Sequence, residues 1–301
     1  MRVKKFGPLL IPGGDFFWLN THAGPSFVDT STTPARLYVT GRDAQNQSHI
    51  GFFELRQSGA KLEVVLESGH LVFSPGELGT FDESGVSYPW LVRDAGKTLM
   101  YYVGWTASGL TRFQNFTGLA ISTDDGFTFS RVSKVPILDR TTTEPYGSGS
   151  CAVWRENANW YMIYTAFESW KLVEGTARPS YRLKEATSTD GICWQRSGRV
   201  VVDFISPEEH IIGKPMVLRE GALTRLWYSH RGASYRIGYA ESTDGQTFRR
   251  KDNHVGIDVS ASGWDSEMIE YAFVFDLGGV RYMIYNGNGF GKTGLGYATL
   301  E

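Results

Sequence analysis

Apolar and polar residues alternate in short runs along this chain, and no stretch holds a 3.6-residue apolar period over three turns. Five aromatic-rich runs stand out: Arg36-Leu37-Tyr38-Val39, Met100-Tyr101-Tyr102-Val103, Tyr161-Met162-Ile163-Tyr164, Leu226-Trp227-Tyr228 and Tyr282-Met283-Ile284-Tyr285. Each reads as a buried strand, because aromatic and β-branched side chains fill a pleated surface well. Three of them are followed, roughly twenty residues on, by near-identical hairpins: Ser122-Thr123-Asp124-Asp125-Gly126, Ser188-Thr189-Asp190-Gly191 and Ser242-Thr243-Asp244-Gly245. A short apolar strand precedes each aromatic run, led by Pro25, Pro89, Cys151, Pro215 and Ala272, at successive spacings of 64, 62, 64 and 57 residues. The first copy is the weakest, with Glu54-Leu55-Arg56-Gln57-Ser58-Gly59 in place of the Asp-Gly turn.

Four strands repeated radially make a propeller blade. The predicted architecture is therefore all-β: one five-bladed β-propeller domain over residues 1–301, with four-stranded blades. The fifth repeat ends at Gly296-Tyr297-Ala298-Thr299-Leu300 with only three strands. Arg2–Leu10 reads like the fourth-strand segment Phe129–Ile137, so the N-terminal strand is expected to close the last blade and leave no open edge.

Composition agrees with this picture and narrows the function. Thirty-five glycines and 14% aromatics suit short strands and tight turns. Thirty Lys and Arg against 32 Asp and Glu give a net charge of −2 without a basic stripe, which argues against nucleic acid as partner. No apolar run approaches the ~18 residues of a membrane span. The basic start, Met1 to Pro8, lacks a following apolar segment, so a cytoplasmic protein is expected. Cys151 and Cys193 make neither a disulfide framework nor a zinc site.

The Ser-Thr-Asp-Gly hairpins, the Tyr-Met-Ile-Tyr strands and the period of about sixty residues resemble the five-bladed furanosidase-type glycoside hydrolases: arabinanases, xylosidases, fructosidases and related mannoside phosphorylases. The resemblance covers nearly the whole chain. It implies a carbohydrate-active pocket on the propeller axis, with acids just before the lead residues of the first blades and a third-blade Glu as general acid. This chain departs from that pattern: Gly24 precedes Pro25, Tyr88 precedes Pro89, and Gly149-Ser150 precede Cys151.

A different set of acids aligns instead. Seven positions before the lead residues stand Trp18, Asp82, Glu144, Glu208 and Asp265, and two positions later Asn20, Ser84, Tyr146, His210 and Glu267. Converging on the channel mouth, such acids could anchor sugar hydroxyls, hold a calcium ion on the axis, or raise one another's pKa values. A protonated and an ionised carboxyl are what glycosidic cleavage needs. Asp82 and Glu144 are the first catalytic candidates, then Glu208, Glu270 and His22. Substrate contacts are expected from Trp18, Trp105, Arg112, Tyr146, Trp170, His210, His230, Arg231, Glu267 and Asn288, whose aromatic, basic and amide groups suit sugar faces, hydroxyls or an anionic group. No cofactor or protein metal site is expected.

These residues point to an enzyme that cleaves or transfers a glycosyl unit of a small-molecule or oligosaccharide substrate, acidic ones included. A phosphorolytic form would depend on cations such as Arg231 and His230. The alternatives are a propeller that binds a sugar or a partner without chemistry, or a divergent enzyme on a sugar-like substrate with His22 or His210 as base.

Overall fold

The structure, a computed structural model, describes Met1–Glu301 and is almost entirely strand. After β1 (Val3–Leu10) come four antiparallel runs: β2 (His22–Asp29), β3 (Ala35–Arg42), β4 (Ser48–Ser58) and β5 (Lys61–Phe73); β6 (Gly85–Asp94), β7 (Lys97–Ser108), β8 (Arg112–Ser122) and β9 (Ser130–Arg131); β10 (Ser148–Glu156), β11 (Asn159–Val173), β12 (Thr176–Ser188) and β13 (Gln195–Val202); and β14 (Ile211–Glu220), β15 (Leu223–Arg231), β16 (Tyr235–Ser242) and β17 (Arg249–Arg250). The last sheet joins β18 (Glu270–Leu277), β19 (Val280–Asn286) and β20 (Leu295–Leu300) to β1, in the order β1-β20-β19-β18. Val3 pairs with Leu300 and Lys5 with Ala298, so the two ends of the chain share one sheet. Neighbouring runs are bridged by single parallel pairs, Ser48 with Gly85 and Tyr181 with Ile211.

The five lead residues fall in β2, β6, β10, β14 and β18, and these strands pack against one another in turn, β18 returning to β2. Every one of them carries a register shift beside its lead residue, between Ala23 and Ser26, Ser87 and Trp90, Ser148 and Cys151, Gly213 and Met216, and Glu270 and Phe273. Such bulges re-aim side chains. Tyr88, Lys214 and Tyr271 accordingly take left-handed φ values of 55°, 50° and 60°.

The Asp-Gly hairpins form as their sequence requires. Asp190 Oδ1 accepts the N–H groups of Ile192 and Cys193, Asp244 Oδ1 those of Gln246 and Thr247, and Gly191 and Gly245 supply φ values of 74° and 69°. The larger of two core clusters runs from Leu10 to Leu300 and holds the strand-two aromatics Tyr101, Tyr164, Trp227 and Tyr282, and a smaller one gathers around Tyr38 and Tyr102. Cys151 is buried and Cys193 exposed, both as free thiols. No helix is long and apolar enough to cross a membrane.

Candidate functional site

The acids aligned ahead of the lead residues do not meet at a channel mouth. Three of the four are bound within their own sheets. Asp82, 0 % exposed, accepts the Tyr102 hydroxyl at 3.0 Å and Arg131 Nε at 2.7 Å. Glu144 accepts the Tyr164 hydroxyl at 2.9 Å, Arg196 at 3.0 Å and Lys184 at 3.3 Å. Asp265 accepts the Tyr285 hydroxyl at 3.0 Å and Lys5 Nζ at 2.7 Å. The tyrosine comes from the second strand of its run, twenty residues after the acid, and one cation from the fourth; Lys5 on β1 takes the place that Arg131 and Arg196 hold elsewhere.

In the fourth run the tie is split between two acids. The Tyr228 hydroxyl donates to Asp252 at 2.6 Å, while Arg250 reaches Asp252 at 2.6 Å and Glu209 at 2.7 Å. Burial alone would raise the Glu209 pKa, but hydrogen bonds from Arg250, His230 and the Ile205 N–H hold it at about 2. This corrects the placement of Glu208, which is exposed and caps its own turn, one residue off the buried position.

Asp82 and Glu144 therefore hold strands together rather than face a substrate, because their oxygens are already committed to a hydroxyl and a cation. The same correction applies to several expected contacts. Trp18 is a core residue, packed 5.6 Å from Phe53. Arg112 and Tyr146 are exposed, the former at a hairpin turn with φ 70°. Trp170 stacks on Phe167, whereas His210 bonds the Glu208 carbonyl and His230 the Glu209 carboxylate. Glu267 points to solvent, and Asn288 staples the loop by accepting the N–H groups of Glu267 and Met268. Trp105 donates to Ser48 Oγ at 2.7 Å beneath the Arg42 guanidinium. No group of three or more His, Cys, Asp or Glu is placed to hold a metal ion.

What the first strands do border is a small, partly open pocket of about 30 Å³. Its lining includes Tyr88, Ser150, Lys214 and Tyr271, the residues immediately before four lead positions. Tyr181 and Tyr235 complete the wall, their hydroxyls 2.8 Å apart. The Tyr88 and Tyr271 rings meet edge to face at 5.2 Å, and Tyr235 lies 6.3 Å from Tyr271. Lys214 Nζ donates to the Ala272 carbonyl at 3.1 Å and stands over the Phe273 ring. Burial pulls its pKa down to about 7, against the smaller opposing effect of Cys151.

Behind this wall lies Glu270, 0 % exposed, with both carboxyl oxygens lacking a hydrogen-bond partner. Burial pushes its pKa well above the carboxylate range, and the Tyr271 hydroxyl and the Arg231 charge do not offset it. Tyr88, Tyr181, Tyr235 and Tyr271 all stand near enough that an ionised Glu270 would raise their pKa values. Of the expected catalytic residues, Glu270 is the one beside this pocket; His22, on β2, is not among its lining residues and bonds Thr21. The His22 pKa falls to about 4, through burial and then the charges of Arg42 and Lys292. Sequence reasoning missed Arg42, Lys214, Tyr181, Tyr235 and Tyr271. For Lys214 and Tyr271 a signal existed, since both occupy the pre-lead position where the resemblance leads one to expect acids.

The fold is similar to that of several solved glycoside hydrolases. Among solved structures, a glycoside hydrolase superposes with a TM-score of 0.76 at 18% identity, covering 99% of this chain and 91% of that one. A glycosyl hydrolase from Bacteroides ovatus gives 0.72 at 14%, covering 98% and 91%. A glycoside hydrolase of the GH130 mannoside phosphorylase family that targets β-1,2 mannosidic linkages in Candida mannan gives 0.71 at 14%, with 98% and 91% covered. No protein-family model matches the chain. The chain belongs to the family of the Mycobacterium tuberculosis proteins named Uncharacterized protein Rv1502 and Uncharacterized protein MT1551, each 36% identical over 306 residues and covered in full.

Proposed function

We propose that this chain is a single five-bladed propeller domain, residues 1–301, that cleaves or transfers a glycosyl unit at its central pocket with Glu270 as the source of the proton. The five antiparallel runs, the ring of first strands and the β1–β20 closure support the blade count. The carbohydrate chemistry of the fold's neighbours supports the substrate class. The observation that carries the mechanism is Glu270: a fully buried carboxyl, without a hydrogen-bond partner, behind the tyrosine wall.

Glycosidic cleavage needs a proton for the departing oxygen and a group to attack the anomeric carbon. A carboxyl held protonated by burial supplies the first at neutral pH. Tyr271 lines the pocket next to Glu270, and in the sugar complex its hydroxyl comes within hydrogen-bond distance of the carboxyl, takes that proton and passes its own to the leaving oxygen. The lining holds no carboxylate to activate water or form a glycosyl ester. The attacking hydroxyl or phosphate therefore comes from a co-substrate, and the Lys214 amine, near its midpoint at pH 7, takes its proton. Transfer or phosphorolysis fits this set better than two-carboxylate hydrolysis.

The test is a panel of glycosides assayed with and without phosphate or a sugar acceptor. Glu270→Gln should lower turnover of natural linkages by about 10²–10⁴-fold yet retain much of it on glycosyl fluorides, whose leaving group needs little protonation. The missing second carboxylate equally favours a propeller that binds sugar without chemistry. That reading wins if saturable binding is found and Glu270→Gln and Lys214→Met change nothing but affinity.

A further inference from the structure

Most arginines here face a carboxylate: Arg93, Arg131, Arg182, Arg250 and Arg281 each close at least one ion pair. The two beside the central pocket do not. Arg42, half-buried at the end of β3, bonds only the amide oxygen of Asn46 at 2.7 Å and stacks 5.3 Å from the Trp105 ring. Its charge reaches Tyr88 and Tyr271 in the pocket wall. Arg231, half-buried at the end of β15, stacks 5.2 Å from the Tyr235 ring, and its Nε is buried without an acceptor. Lys214 on the pocket wall has a single carbonyl partner and no carboxylate. The one acid of the neighbourhood, Glu270, is of the kind burial keeps neutral.

A buried or half-buried guanidinium with no counter-ion is costly unless something supplies the charge. Planar guanidinium forks match carboxylate and phosphate oxygens in pairs. Arg42 stacks on Trp105, which pairs with the pocket-lining Asn115, and Arg231 stacks on the pocket-lining Tyr235, so both guanidinium groups stand beside the pocket.

We infer that the pocket selects a sugar carrying an anionic group, a carboxylate or a phosphate, which Arg42 and Arg231 bind while the tyrosines face its ring. This rests on the glycosyl reading above and adds the charge of the substrate to it. The cations leave the Glu270 proton free for the leaving oxygen, because the anion is satisfied by guanidinium N–H groups.

Titration calorimetry on the full chain would use glucuronic and galacturonic acids, hexose 1-phosphates, the uncharged parent hexoses, and acetate and inorganic phosphate alone. Charged sugars should bind at least ten-fold more tightly than neutral ones, with an advantage that shrinks in salt. Arg42→Gln and Arg231→Gln should each remove most of that advantage, and Arg42→Lys and Arg231→Lys should keep part of it, which separates charge from folding. Uronic acids binding ahead of the phosphates would identify a carboxylate on the sugar, and the reverse order a phosphoryl group. Equal binding of neutral and charged sugars overturns this inference and leaves the glycosyl reading standing. Arginine-dependent binding of acetate or phosphate with no sugar preference overturns the glycosyl reading instead, and no binding by any of these ligands overturns both.

Discussion

Two sets of carboxyl groups in this protein are equally hidden from water and have opposite fates. Asp82, Glu144, Glu209 and Asp265 lie in the sheets, each met by at least one cation and three of them by a tyrosine hydroxyl. Glu270 lies at the hub with neither oxygen bonded. Burial penalises the charge in both places. At Glu209 and Asp265 hydrogen bonds and charged partners more than offset it, holding Glu209 at about 2 and Asp265 below its ordinary value. At the hub nothing offsets it, and the proton stays on. A buried acid met by a cation is mortar between strands, and one met by none is available for chemistry.

The sharpest way to break that contrast is to neutralise one member of each set. Glu270→Gln should lower turnover of natural glycosides by about 10²–10⁴-fold, the usual range for losing a positioned acid, with little change in Tm. Tyr271→Phe should cost nearly as much if its hydroxyl carries the proton. Asp82→Leu or Glu144→Leu should do the reverse. Removing one partner of a buried ion pair costs about 3–5 kcal/mol, which lowers Tm by roughly 5–10 °C in a domain of this size while kcat of the folded fraction stays put. A large kcat loss in Asp82→Leu at unchanged Tm would return the sheet acids to the reaction.

The pH dependence of stability sharpens the same contrast. Glu209 has a depressed folded pKa of about 2 against an ordinary value of 4.5, so its contribution is present above about pH 5 and disappears as pH falls toward 2. Glu270 has the opposite sign. Its folded pKa lies above 4.5, so the folded state binds the extra proton and stability declines as pH rises above that value. Chemical denaturation across pH 3–9 should show Glu209→Gln flattening the acid limb. Glu270→Gln should gain on the wild type as pH rises, and a parallel pair of curves would contradict the assignment.

Much of this contrast was written in the sequence, but in a form that allowed two readings. The repeat, its strands and its closure by Arg2–Leu10 follow from alternation, Asp-Gly turns and spacing, which are local properties of the chain. The aligned acids were visible too, and so was the constant interval of twenty residues from Asp82, Glu144 and Asp265 to Tyr102, Tyr164 and Tyr285. Which way those side chains point is a matter of packing that spacing alone does not fix. At Glu208 and Glu209 a shift of one residue exchanges an exposed acid for a buried one. The pocket was harder to read because its chemistry sits on bulges. Tyr88, Lys214 and Tyr271 face inward through left-handed backbone that a strand pattern does not announce.

The smallest expected effect concerns how that backbone is held. The N–H groups of Tyr88, Lys214 and Tyr271 donate to the hydroxyls of Thr40, Thr165 and Ser229, each on the second strand of the preceding run. In the second run the corresponding residue is Val103, which has no hydroxyl, and the pre-lead residue it faces, Ser150, is not left-handed; in the fifth it is Asn286, which faces Gly24, and glycine takes its φ of 105° without such a tie. The correlation ties one hydroxyl to one inward-facing side chain. Thr165→Val should cost about 1 kcal/mol through the lost hydrogen bond and release Lys214 from its bulge. The alkaline shift of the Lys214 amine that follows should appear as a displaced acid limb in kcat/KM, with KM for the sugar little changed. Thr165→Ser should restore both, whereas a Thr165→Val variant that loses stability without moving the pH profile would make the hydroxyl purely structural.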